Sequence, residues 1–123
     1  MLAMRYVIIN LFLLLSLGLF GQQVDNSSGV KYFSQAQMSD DLSVSELDEI
    51  EQNLSQNQFI MMSRLDRITG GLFIVTKNLN GYDRSTFESW LGTFANRIDC
   101  YREGIQGVDE ILPFNENFCS QTE

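Results

Sequence analysis

Apolar residues return along this chain with two different periods, and the changes of period mark out its elements. Between Leu42 and Gln58, Val44, Leu47, Ile50 and Leu54 recur every three or four residues, the stripe of an amphipathic helix. Ser43 stands as its N-cap, Glu46 closes a capping box, and Leu42 and Leu47 are spaced as a hydrophobic staple. The following stretch, "QFIMMSRLDRITGGLFIVTKN", predicts two strands around a turn. Phe59, Met61 and Leu65 alternate on one face, Thr69, Gly70 and Gly71 suit a hairpin that needs positive φ, and "LFIVT" is apolar enough to be covered on both sides. The helical period then resumes through Phe87, Trp90, Leu91, Phe94, Ala95, Ile98 and Tyr101, with Ser85 and Glu88 as a second capping box and Asp83 as a rival cap. Gly104 is the expected stop, and Gly92 inside this stripe lowers helix propensity and permits a close approach to a neighbour. Two weaker segments complete the set. "GVKYFSQAQM" predicts a short strand from Val30, Tyr32 and Phe33, and Val108–Phe114 a last strand, put at a sheet edge by Pro113, which donates no ladder hydrogen bond.

The predicted order is therefore βαββαβ. That order belongs to the α+β class and to the ferredoxin-like sandwich, a four-stranded antiparallel sheet with two helices on one face. Were the first segment not a strand, a three-stranded αββαβ arrangement would remain.

The N-terminus changes where this domain is expected to work. "MLAMRYVIINLFLLLSLGLFG" has one basic residue, Arg5, then an apolar run from Val7 to Phe20, the plan of a secretory signal over residues 1–21. The run is broken by Asn10 and falls short of the roughly 18 to 20 apolar residues a bilayer span needs. Cleavage is expected after Gly21, with Gly18 as the alternative, leaving a polar leader (22–28), one domain (29–119) and a short tail (120–123). No stable membrane anchor is expected after cleavage. The destination is the periplasm or the exterior.

Charge and cysteines narrow the chemistry. Losing Arg5 takes the net charge from −8 to −9, which repels phosphate backbones, so no nucleic-acid partner is expected. Cys100 and Cys119 are the only cysteines and histidine is absent, too few ligands for a zinc site. They form no CxxC, and Cys100 is placed toward the end of the second predicted helix, the wrong pole for a stabilised thiolate. In an oxidising compartment they are expected to form a disulfide. The "NLNGYD" turn lacks a calcium loop's first aspartate and final glutamate, having Thr76 and Phe87 there.

In size and element order the mature chain resembles a heavy-metal-associated domain, a family that carries copper or zinc on a CxxC between its first strand and first helix. The corresponding segment here, "SQAQMSDDLSVSE" from Ser34 to Glu46, contains no cysteine, so the family's metal transfer is not implied. No cofactor is expected. With neither histidine nor a catalytic motif, the chain reads as a non-catalytic interaction or accessory protein for another envelope or extracellular protein. Its candidate partner contacts are the hairpin residues Asp66, Arg67, Thr69 and Gly70, and Val108, Glu110 and Leu112 on the last predicted strand, by strand addition. The alternative is a soft-metal or small-ligand carrier using Met38, Met61 or Met62. Against it, adjacent strand residues point to opposite faces, which makes Met61 and Met62 read better as core filler. A carboxylate enzyme would require two acidic side chains converging in one cleft.

Overall fold

The computed structural model describes residues 29–122, and the expected signal and leader segments lie outside the described residues. Along the chain run β1 (Tyr32–Met38), α1 (Val44–Ser55), β2 (Ile60–Leu65), β3 (Gly71–Thr76), α2 (Arg84–Leu91), a 3-10 segment (Gly92–Arg97), β4 (Ile98–Ile105) and the short α3 (Phe118–Gln121). The strands form one sheet in the order β2-β3-β1-β4, every neighbouring pair antiparallel. The α+β class follows, with four strands and not three.

Local chemistry sets the helix starts. Ser43 and Glu46 form the expected reciprocal box, Glu46 N–H donating to Ser43 Oγ (3.2 Å) and Ser43 N–H to Glu46 Oε1 (3.0 Å). At α2 the rival cap wins: Asp83 Oδ1 accepts from Thr86 N–H (2.9 Å), and Glu88 instead pairs with Arg84 (2.9 Å).

The second helix is shorter than its apolar spacing predicts. Gly92, at φ +60°, ends α2 and donates its N–H to Glu88, and the 3-10 segment hands the chain directly to β4. Ile98 and Tyr101 thus belong to a strand, and so does Cys100, which was expected near a helix C-terminus. Gly104 is no helix stop. It pairs with Phe33, and a Cβ there would come within 2.7 Å of the Phe33 ring. The strand expected over Val108–Phe114 is accordingly not one: β4 has already filled the edge position, and these residues are turn and coil.

The two helices cover one face of the sheet. Ile50 and Leu54 of α1, Phe87 and Leu91 of α2 and Phe94 pack on Ala36, Met38, Ile60, Leu72 and Ile74. Two helices leave the other face open, yet Phe33, Gln35 and Val75 on it are buried. Residues 106–122, the C-terminal strap, close it. Gln35 Nε2 donates to the Leu112 carbonyl (2.6 Å) and its Oε1 accepts from Leu112 N–H (3.0 Å). Phe114 lies against Gly71, where a Cβ would meet its ring at 2.7 Å, and Phe118 beside it is fully buried. The far end is fixed by the Cys100–Cys119 disulfide, Cα atoms 5.4 Å apart across 19 residues. The expected pairing is present, but it ties a strap to a strand.

Closing a loop of this size contributes about 3 kcal/mol by the chain-entropy account. Cys119→Ser should lower the unfolding free energy by about that amount in urea titrations, and a reducing agent should lower the melting temperature of the native chain but not of the variant. Equal melting of the native chain with and without reductant would remove the disulfide's structural role.

Candidate functional site

The hairpin tip was the first candidate surface, and the fold uses most of it internally. Asp66 Oδ1 accepts from the N–H groups of Ile68 (2.9 Å) and Thr69 (3.2 Å), which hold its carboxyl below the ordinary range. Arg67 reaches across to α1, where Glu51 (2.7 Å) and Asp48 (2.5 Å) raise its pKa further and dock the tip on the helix. The Thr69 carbonyl accepts from Gln37 Nε2, and the Gly70 carbonyl from Met38 N–H (2.9 Å). Only Ile68, 96% exposed, projects from the tip without a structural task.

The second candidate set lies on the strap. Val108 is exposed in the turn after β4, the Glu110 carbonyl accepts from the Arg102 guanidinium, and Leu112 is the residue gripped by Gln35. Beside the strap, Gln37, Thr69, Phe114, Glu116 and Cys119 line a groove of about 310 Å³. Val108, Glu110 and Leu112 therefore do not share a strand edge, and the structure does not bring them together with the hairpin residues.

The methionines separate by depth. Met38 is buried beneath the helices, whereas Met61 and Met62 are 51% and 45% exposed, so they are not core filler. The reason is a bulge. Ile60 pairs with Thr76 and Met62 with Val75, which makes Met61 an extra residue and undoes the simple alternation the strand was expected to follow. Among the described residues no group of three or more Cys, Asp or Glu side chains is placed to hold a metal ion. The β1–α1 loop, where the resembled family carries its CxxC, is spanned by Arg97, which pairs with Asp41 (2.5 Å) and Glu46 (3.3 Å).

The bulge lies on β2, whose Met61 and Met62 the sequence offers only as soft-metal or small-ligand residues and not as a protein contact. β2 is an outer strand of the sheet, and Met61 and Met62 are exposed on it, as is Phe59 in the turn just before it, which stacks on Trp90 with ring centroids 6.4 Å apart. Between β2 and α1 runs a groove of about 340 Å³ whose walls include Glu51, Leu54, Ser63, Leu65 and Leu72. The sequence signal was present in the adjacent "FIMM" residues, which a regular half-buried strand would not place together.

A polar cluster lies under the helix layer. The Ser34 hydroxyl, fully buried, bonds Tyr82 OH (2.5 Å) and Tyr101 OH (2.7 Å), and Tyr101 OH donates to Glu103 Oε2 (3.4 Å). Burial pushes the Tyr82 phenol up to about 12 and raises that of Tyr101 as well. Burial also raises the Glu103 carboxyl, with nearby Asp83 adding to it, while Asp83 itself is held low as the cap of α2. This is the nearest the described residues come to a pair of carboxylates with opposed tendencies, and one of the two is occupied as a helix cap.

No family model, curated protein or solved structure matches the chain. Among the described residues no helix is long and apolar enough to cross a membrane.

The tyrosines give a pH prediction. The folded state favours both phenols with the proton on, so their contribution is complete below the ordinary tyrosine pKa of about 10 and is lost as pH rises through the folded values. The urea midpoint should therefore fall between about pH 10 and about pH 12, with tyrosinate absorbance from this pair rising as the fold is lost. Ionisation of both phenols near pH 10 with the fold intact would contradict the buried cluster.

Proposed function

We propose that this chain is a small exported interaction module, a non-catalytic accessory protein that binds another envelope or extracellular protein. The observation that carries the reading is the open strand β2, where Phe59 just before it and Met61 and Met62 within it place three exposed large apolar side chains within four residues, whereas the other exposed ones, such as Val44, Ile68 and Val108, are scattered along the chain. Export is supported by the Cys100–Cys119 disulfide, a linkage that persists in oxidising compartments, together with the signal-like residues 1–21. The βαββαβ element order, with both long helices on one face, supports a ferredoxin-like plait; the strap over the second face is an addition to that plan.

Photo-crosslinking in living cells tests this. A photoreactive residue at Met62, and separately at Ile68, should capture one discrete protein, while the same residue at the exposed helix position Asn53 should not. Absence of an adduct from every exposed apolar position, with turnover found on a panel of small substrates, would sink the reading.

The alternative, carriage of a soft metal, has one observation on its side: Met61 and Met62 are both exposed at a bulge. Two thioethers without a thiolate or imidazole make a weak site. Titration with Cu(I) under conditions that keep the disulfide intact is expected to show nothing tighter than micromolar, and the same titration of a Met61→Leu, Met62→Leu double variant should look identical.

A further inference from the structure

The hydrogen-bond phase of the β2–β3 ladder can be read from both of its ends. At one, Asp66 N–H donates to the Gly71 carbonyl (2.8 Å); at the other, Lys77 N–H donates to the Phe59 carbonyl (2.8 Å). Alternation from either end makes Arg64 opposite Phe73 and Met62 opposite Val75 the mutually bonded pairs. Ser63 opposite Ile74 and Leu65 opposite Leu72 are the non-bonded pairs, so their N–H and C=O groups point out of the sheet. Ile60 has the same phase, and its outward N–H is taken by the Asn57 carbonyl (3.3 Å). Among the described residues no loop, helix or strap supplies Ser63 or Leu65 with such a partner.

We infer that β2 is a strand-addition site for an extended, cationic segment of a partner protein, which pairs with the outward backbone of Ser63 and Leu65 and sets alternate side chains into the groove beside α1. This rests on the interaction-module reading and names its contact. Residues of the added strand opposite Ser63 and Leu65 lie on the helix side, where Leu54, Leu65 and Leu72 give the groove an apolar wall. The intervening residues lie on the other side, beside exposed Met62 and Arg64. The bulge at Met61 bounds the site at one end and the hairpin at the other. Charge selects the occupant: sixteen acidic against eight basic residues make a second copy repulsive, and on the helix side Glu51 of the groove wall and Asp48 share a single Arg67, which favours a Lys or Arg side chain there and leaves apolar residues for the side of Met62 and Arg64. The opposite outer strand, β4, contributes none of the exposed large apolar residues, and the Asp109 carboxylate takes its Ile105 N–H (2.7 Å).

A labelled peptide of about ten residues alternating valine and lysine, titrated into the oxidised mature chain, should bind, and a valine–glutamate peptide should bind at least about tenfold more weakly. Ser63→Pro removes an outward donor without touching the β2–β3 ladder and should weaken the lysine peptide about tenfold, while Ser63→Ala should not. Should Ser63→Pro unfold, the same loss is expected on methylating alternate backbone nitrogens of the peptide, with the native chain as receptor. Equal binding of the N-methylated and unmodified peptides, equal binding of both charge types, or no binding at all would overturn the proposal. So would a native dimer dissociated by Ser63→Pro, which would make the occupant a second copy. A cellular partner crosslinked only through other surfaces would remove this site and leave the module reading standing.

Discussion

The amide of Gln35 is fully buried in the central strand β1, and the strap is what makes that burial tolerable. Both Leu112 backbone groups bond it, and the Arg102 guanidinium gives its Oε1 a second donor at 3.0 Å. Stripped of the strap, this side chain would lose most of its partners, at a cost of about 1–3 kcal/mol for each group left unsatisfied. Strap and sheet therefore order together. Phe118 supplies the apolar half of the same contact, and the disulfide holds the end from which the strap would otherwise fray. A domain this small has little surplus core with which to tolerate an open face.

The helix layer is closed by a different device. Arg67 from the hairpin and Arg97 from the segment before β4 each bridge two carboxylates of α1 or the loop before it. Exposed pairs of this kind add little stability, so their role is to fix where α1 lies over the sheet. They also consume two of the few cations in an acidic chain. Hydrogen bonds hold Asp41, Glu46, Asp66 and Asp83 below their ordinary pKa values, so the stability they contribute is present at neutral pH and is lost as pH falls through those lowered values.

What could be read from the sequence was what short range determines. The capping box at Ser43, the hairpin around Gly70 and the identity of the disulfide pair each need only neighbouring residues or elimination, and each is present. The second half of the chain was misread because Ile98 and Tyr101 keep helical spacing while lying on a strand. Met38 pairs with Ile98 and Gln37 with Cys100, so Asp99 is an extra residue that shifts the strand's phase. Gly92 was visible as a helix weakness, but its positive φ was not. Gln35 carried no signal, since the backbone it binds is 77 residues away. The β2 edge was missed for a related reason: a bulge has no composition of its own, and only pairing reveals that Met61 is supernumerary.

The same bulge bears on how an open strand can be kept from indiscriminate pairing. A long flat edge invites indiscriminate pairing, and natural sheets blunt their edges with bulges and charges. β2 has both, the bulge at Met61 and the exposed charge of Arg64, which leaves only a short run of regular backbone between Met62 and Leu65. So short a run offers few main-chain hydrogen bonds, too few to hold an arbitrary strand against the entropy of ordering it. Binding there has to draw on side chains as well, and the groove against α1 and the exposed Met62 lie where alternate side chains of an added strand would fall.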